Sequence, residues 1–408
     1  MAQLRGGHQL QLLQGGNAYF GSLIDAIDHS RLEVRFETYI FHLDRSGCLV
    51  AEALERAATR GVAVFLTMDG VGTPSLLPEW ASRLDRSGVR WHIFSPLGRV
   101  GLLIPSRWRR LHRKLVVVDG QVAYCGGINV LDDYVDPNHG DLSEPRLDFA
   151  VRVTGPLVQE ARAVMASFWW RLQLTSEVNA REFPAAWRGL QDSMRRAIGE
   201  RTRGPRQSSA AERRIAPGAR AALVLRDNLR NRRKIENAYL AAIEGARSEV
   251  VVANAYFLPG ARLRRTLIKA AQRGVRVRLL LQGRYEYFLQ YHASRPVYGA
   301  LLAAGVEIHE YATSFLHAKV AVVDMRWATV GSSNLDPLSL LLAREANVVV
   351  DDADFAHELR QRLEEAMTQG GQVLEAQAFA NRPWRQRLLE ALAFGLMRLG
   401  LLLIGRRY

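Results

Sequence analysis

One pattern, H-x-K-x4-D-x6-G-[GS]-x-N, occurs twice in this 408-residue chain without a gap. The first copy runs His112-Arg113-Lys114, four apolar residues, Asp119, then Gly126-Gly127-Ile128-Asn129. The second runs His317-Ala318-Lys319, four apolar residues, Asp324, then Gly331-Ser332-Ser333-Asn334. The repetition extends past the motif: Arg60-Gly61-Val62 returns as Arg273-Gly274-Val275, and Ser87-Gly88-Val89 as Ala304-Gly305-Val306. The stretch from Phe36 to Phe41 is echoed between Ala253 and Phe257. The Arg-Gly-Val pair follows helical patterns (Leu49 to Ala58, Leu263 to Gln272) and leads into apolar strands. A repeat on this scale restricts the fold to two copies of one α/β unit, strands alternating with helices.

Side chains alternate along a strand, so H-x-K sends His and Lys to the same face. Leu115 to Val118 and Val320 to Val323 read as buried strands. Asp119-Gly120 reads as a turn returning the chain through Val122 to Cys125, which carries Asn129 back toward His112 and Lys114. The same logic sets Asn334 beside His317 and Lys319. The glycine pair would allow close approach of backbone to a ligand. These residue types suit attack on a phosphodiester. A neutral imidazole can attack phosphorus and form a phospho-histidine. A second can protonate the departing alkoxide and then deprotonate the incoming hydroxyl. Lys114, Lys319, Asn129 and Asn334 supply donors to the phosphate oxygens, a set able to stabilise phosphoryl transfer with no metal or other cofactor. Asp119 and Asp324 complete the motif and count with the catalytic set, yet their place in the turns predicts ion-pairing or capping roles.

The formal charge of +14 favours anionic partners, while 48% apolar residues allow sizeable cores. The two cysteines, Cys48 and Cys125, have no metal-ligand spacing, and Cys125 reads as a small buried strand residue. Met1 to Gly15 lacks an apolar stretch of signal-peptide length, and no uninterrupted run is long enough for a membrane span. Between the repeats, Arg195 to Lys234 holds 13 Lys/Arg against 3 Asp/Glu, punctuated by Gly204-Pro205, Ser208-Ser209 and Pro217-Gly218. The resulting division is a first domain at 1–194, a basic linker at 195–217, a second domain at 218–370 and a membrane-associating tail at 371–408. Two segments suit a membrane surface. Gly101 to Arg110 joins an apolar tip to Trp108, Arg109 and Arg110. Trp384 to Tyr408 sets arginines around Leu392, Leu396 and other leucines in an amphipathic helix. From Leu388 to Ile404 that helix would extend about 26 Å, short of a hydrocarbon core of about 30 Å. Glu390 and Arg398 also interrupt it, so it reads as interfacial, with docking on the protein's own core as the alternative.

At the duplicated motif the chain resembles the phospholipase D superfamily. The resemblance implies two α/β/α domains related by a pseudo-twofold axis and sharing one active site, with a C-terminal amphipathic helix beyond them. It implies His112 as nucleophile, His317 as general acid and base, and a carboxylate after each motif to orient the histidine: Glu345 in the second copy, Asp148 in the first. Asn254 to Pro259, Gly331 to Ser339 and Arg226-Asp227-Asn228 resemble bacterial cardiolipin synthases, and the lack of two N-terminal membrane helices is similar to the B type. That likeness implies phosphatidyl transfer from one phosphatidylglycerol to a primary hydroxyl of another. Cardiolipin and glycerol would form through a phosphatidyl-histidine intermediate, with phosphatidylethanolamine or free glycerol as further substrates. The implied partners are anionic phospholipids at the inner membrane surface, not nucleic acid. The implied place is the cytoplasmic side of a bacterial cell membrane, peripheral or anchored by the C-terminus. A hydrolase releasing phosphatidic acid shares the motif and stays open. A nuclease would also suit the charge, although the basic excess is concentrated in the linker and an apolar tail. A non-catalytic scaffold is disfavoured because no motif position is lost.

Overall fold

The structure, a computed structural model, describes residues 3–98, 105–179, 218–227, 231–285, 288–336 and 343–403. The first half contains β1 (Arg5–Gln14), α1 (Gly15–Asp28), β2 (Glu33–Thr38), α2 (Arg45–Thr59), β3 (Ala63–Asp69), α3 (Pro78–Ser87), β4 (Arg90–Phe94), β5 (Arg110–Leu111), β6 (Lys114–Val118), β7 (Val122–Gly126), β8 (Val135–Asp136), β9 (Gly140–Asp141), β10 (Phe149–Thr154) and α4 (Pro156–Asn179). The second contains β11 (Ala219–Arg226), α5 (Lys234–Gly245), β12 (Glu249–Asn254), α6 (Ala261–Gln272), β13 (Arg276–Gln282), α7 (Phe288–Leu302), β14 (Glu307–Tyr311), β15 (Lys319–Val323), β16 (Trp327–Gly331) and β17 (Ala343–Asp351). It continues through α8 (Ala353–Gly370), β18 (Gly371–Val373), α9 (Ala376–Ala380) and α10 (Trp384–Leu403).

One continuous sheet carries the repeat. From its centre, where β1 pairs antiparallel with β11, one half runs β1-β10-β7-β6-β2-β3-β4 and the other β11-β17-β16-β15-β12-β13-β14. Each position in one half has its counterpart in the other, which is the pseudo-twofold α/β arrangement the repeat predicts. The outer strands β2-β3-β4 and β12-β13-β14 are parallel and linked by helices, while β6–β7 and β15–β16 are hairpins. Alternation along β6 and β15 divides the cores. Leu115 and Val117 join Val320 and Val322 in a core shared by both halves, together with α4 and α8. Val116 and Val118 pack instead with α1 and α2, and Ala321 and Val323 with the helices of the second half. Cys125 is buried in the shared core as a small apolar residue.

The tail is more integrated than a separate 371–408 segment. β18 extends the second-half sheet beside β14, and Phe379, Ala393 and Met397 dock α9 and α10 onto that half's core. Glu390 faces inward and pairs with Arg382 at 3.0 Å instead of facing lipid. The opposite face of α10 leaves Leu388, Leu392, Leu396 and Leu399 exposed. The helix thus docks through one face and presents an apolar stripe on the other. No helix among the described residues is long and apolar enough to cross a membrane. The linker 195–217 and the tip 101–104 lie outside the described residues. Near that tip Trp108 is half-buried and Arg109 exposed, but Arg110 does not face outward. Its guanidinium bonds Asp69 Oδ1 at 3.1 Å and the Ser95 carbonyl at 3.0 Å. Asp69 is fully buried, and a buried carboxylate requires a cation and N–H donors around it. That need removes Arg110 from the membrane-facing set.

Candidate active site

The backbone crosses between the halves at the site. β5 pairs in parallel with the start of β17, Leu111 opposite Arg344, and His112 N donates to Arg344 O at 3.0 Å. The second half repeats the arrangement: Leu147 bridges Leu316, and His317 N donates to Leu147 O at 2.9 Å. The residue following each of these acceptors is a carboxylate, and each is delivered to the histidine of the opposite half. His112 Nδ1 lies 2.9 Å from Glu345 Oε1 and 3.1 Å from Oε2, while His317 Nδ1 lies 2.6 Å from Asp148 Oδ2. The expectation that each carboxylate serves its own motif is therefore corrected: the pairing is exchanged. A carboxylate accepts, so Nδ1 carries the ring proton and Nε2 of each imidazole is left for chemistry.

Lys114 Nζ donates to His112 O at 2.9 Å, and Lys319 Nζ to His317 O. Both lysines are buried beneath the histidines. Arg113, pointing the other way, pairs with Glu37 on the opposite face of the strand. Asn129 Oδ1 accepts from Ile40 N at 3.2 Å, and Asn129 and Asn334 line the same cleft as the two histidines. Asp119 and Asp324 stand apart. Each adopts a positive φ, 51° and 50°, at the turn at the far end of its strand. Asp119 accepts from the N–H groups of Arg31, Leu32 and Glu33, and Asp324 from those of Arg247, Ser248 and Glu249. With their oxygens engaged in tying each hairpin to a neighbouring strand, they have structural work only. The glycine pair also differs from expectation. A Cβ on Gly127 would lie 2.2 Å from Asp148 Oδ1, so the close approach is to the orienting carboxylate.

Sequence reasoning missed several neighbours. Ser332, which replaces Gly127 in the second copy, donates to Glu345 Oε2; the G-[GS] variation was its only signal. The Tyr39 ring lies 4.9 Å from the His112 ring and 5.4 Å from Lys114 Nζ. Asp133, Asp136 and Arg146 also line the cleft, from a loop with no pattern to mark it.

Burial lowers the basicity of His112, with the Glu345 charge opposing it. His317 falls well below the usual imidazole value through burial and then the charges of Lys319, Lys114 and Arg146. Lys114 is pushed down to about 7, by burial first and Lys319 second. Burial lifts Asp148 to about 7. Burial also works to raise Glu345, but His112, Lys114 and the Ser332 hydroxyl outweigh it and hold the carboxyl below its ordinary value. Two neutral imidazoles thus face a cleft of about 720 Å³ underlain by lysines. An anionic phosphodiester entering it meets cations, and its own charge raises the proton affinity of the imidazoles.

Residues 23–146 and 239–367 match the family described as cardiolipin synthase, PLD-like domain. Over 394 residues the chain is 36% identical to cardiolipin synthase B of Escherichia coli strain K12, spanning 97% of this chain and 89% of that protein. It is 27% identical over 381 residues to cardiolipin synthase 1 of Bacillus anthracis, spanning 93% and 70% respectively. In fold it is similar to the crystal structure of phosphatidylserine synthase from Haemophilus influenzae Rd KW20, with a TM-score of 0.68 at 12% identity, covering 98% of this chain and 95% of that one. With a family match in both halves and a full-length relative of this identity, the chain belongs to the cardiolipin synthase family of phospholipase D-like proteins.

Proposed function

We propose that this protein transfers a phosphatidyl group from phosphatidylglycerol to a hydroxyl of a second phospholipid, forming cardiolipin. The observation that carries the reading is the pair of imidazoles in one cleft, each held through Nδ1 by a carboxylate of the opposite half. The charge of the bound phosphodiester puts a second proton on His317, at Nε2. In the first step His112 Nε2 attacks phosphorus, the bond from phosphorus to the glycerol headgroup breaks, and His317 gives that proton to the departing oxygen. Glu345 balances the positive charge that develops on His112. In the second step His317 removes the proton from a primary hydroxyl of another phosphatidylglycerol. The new O–P bond forms as the N–P bond to His112 breaks. Lys114, Lys319, Asn129 and Asn334 stabilise the phosphate oxygens in both steps.

The stripe of Leu388, Leu392, Leu396 and Leu399, with Arg385, Arg387 and Arg398 on the same helix, suits attachment to an anionic bilayer. Met397 and Leu289, from α10 and the α7 it packs on, line the active-site cleft, which links the attached surface to the chemistry. Purified protein incubated with phosphatidylglycerol vesicles should release cardiolipin and glycerol in equal amounts. Phosphatidic acid as the dominant product would replace this reading with the hydrolase.

A further inference from the structure

The two motif copies differ behind their asparagines. Nineteen positions separate Asn129 from Asp148, and eleven separate Asn334 from Glu345. The extra length in the first copy forms the β8–β9 hairpin at the edge of the cleft. Its conformation is tightly set. Leu142 N donates to Tyr134 O at 2.8 Å and Arg146 N to Asp133 O at 3.0 Å. The buried Arg146 guanidinium bonds Asp136 Oδ2 at 3.0 Å and the carbonyls of Asp132 and Val135 at 3.3 Å. Asp136 in turn accepts from the N–H groups of Asn138 and His139. The loop rests on the segment leading into His317: Ser314 Oγ donates to Glu144 O at 2.7 Å, and the His139 ring lies 5.0 Å from Phe315. Arg146 is near enough to His317 for its charge to act on that imidazole.

The loop gives the cleft a polar stretch of wall through Asp133, Asp136, Asn138 and Arg146, while Tyr39, Ile40, His42 and Val71 line it from the first half's other loops. Gly16 N donates to Asp133 Oδ2, and Asp133 lines the cleft.

We propose that the 131–148 loop is the subsite for the acceptor alcohol, and that it selects a polyol headgroup through Asp133 and Asn138. The proposal rests on the transferase reading with His317 as the base. The primary hydroxyl loses its proton to His317 as its oxygen bonds phosphorus and the N–P bond to His112 breaks. Asp133 accepts a hydrogen bond from the adjacent hydroxyl, and the exposed Asn138 amide pairs with the same headgroup. Arg146 is a positioning residue that locks the loop and disfavours a proton on His317.

The test is a competition between glycerol and ethanol, at equal concentration, for the phosphatidyl group of phosphatidylglycerol vesicles. Labelled glycerol reports exchange into the lipid, and phosphatidylethanol reports the simple alcohol. Wild type should prefer glycerol. Asp133→Asn retains an oxygen for Gly16 N but presents an amide donor to the cleft, and Asn138→Ala alters an exposed loop side chain. Each variant should lower the glycerol-to-ethanol ratio by about tenfold. A ratio that moves less than twofold in both variants, or a wild type that treats the two alcohols alike, overturns the subsite while leaving the transferase intact. Wild type giving phosphatidic acid alone in both alcohols overturns the transferase reading itself.

Discussion

Glu345 Oε1 lies 2.9 Å from His112 Nδ1, although the two residues belong to opposite halves of the repeat. Asp148 and His317 make the reciprocal contact at 2.6 Å. Neither half contains a complete oriented histidine, so the unit of chemistry is the assembled pair. This exchange follows from the backbone, because the segment leading into each histidine lies against the segment leading into the other half's carboxylate.

The exchange separates the roles of the two carboxylates. Glu345→Gln preserves shape but removes the charge facing His112. Formation of the covalent intermediate in a single turnover should slow by about 100-fold. Asp148→Asn should act on the steps that move a proton through His317. Equal slowing of intermediate formation and breakdown by both variants would contradict the assignment.

The pH dependence follows from two groups displaced toward neutrality. Lys114, lowered to about 7, carries its charge below that pH and loses it above. Asp148, raised to about 7, is charged above that pH and neutral below. Activity that requires both charges should give a narrow bell in kcat/KM centred near pH 7, its limbs belonging to a coupled cluster with Lys319 and Glu345. Asp148→Asn should flatten the acid limb. A kcat/KM profile flat between pH 6 and 9 would contradict the electrostatic account.

The two faces of α10 should respond differently to charge. Leu392 and Leu396 are 57% and 63% exposed, so replacing either by Asp should leave the melting temperature nearly unchanged. Each leucine is worth about 1.5–3 kcal/mol when fully buried, so affinity for anionic vesicles in a flotation assay should fall at least about tenfold. Met397→Asp places a charge in the docked face and should lower the melting temperature instead. Undiminished vesicle binding by the Leu392→Asp, Leu396→Asp double variant would remove the stripe from the membrane contact.

Space behind the histidines is equally testable. Gly127→Ala would drive a Cβ to 2.2 Å from Asp148 Oδ1, displacing the carboxylate that holds His317. Turnover should drop by about 100-fold, more than for Ser332→Ala, which removes one hydrogen bond to Glu345 and should cost about tenfold. A Gly127→Ala enzyme with wild-type turnover would show that Asp148 tolerates displacement.

Local pattern made much of this legible. Period-two alternation placed His112 with Lys114 and His317 with Lys319, and the turns at Asp119 and Asp324 return the chain as the motif predicts. The repeat foretold two matching half-sheets. The exchange of Asp148 and Glu345 was not legible, because spacing within one copy says nothing about which strand lies beside it in the other. Arg110 was misread for a related reason: it looks like a surface charge until its buried partner, Asp69, is in place. The loop carrying Asp133 and Arg146 has no periodicity, so only its fold brings those side chains to the cleft.

The most direct test of the account is to locate the covalent phosphate. Phosphatidylglycerol labelled in the diester phosphate, mixed with the enzyme and quenched within one turnover, should leave label on a peptide containing His112. His112→Ala should abolish it, while His317→Ala should still accumulate it slowly from a donor with an activated leaving group. Label on His317 would reverse the two roles, and turnover with label on neither histidine would contradict a covalent mechanism.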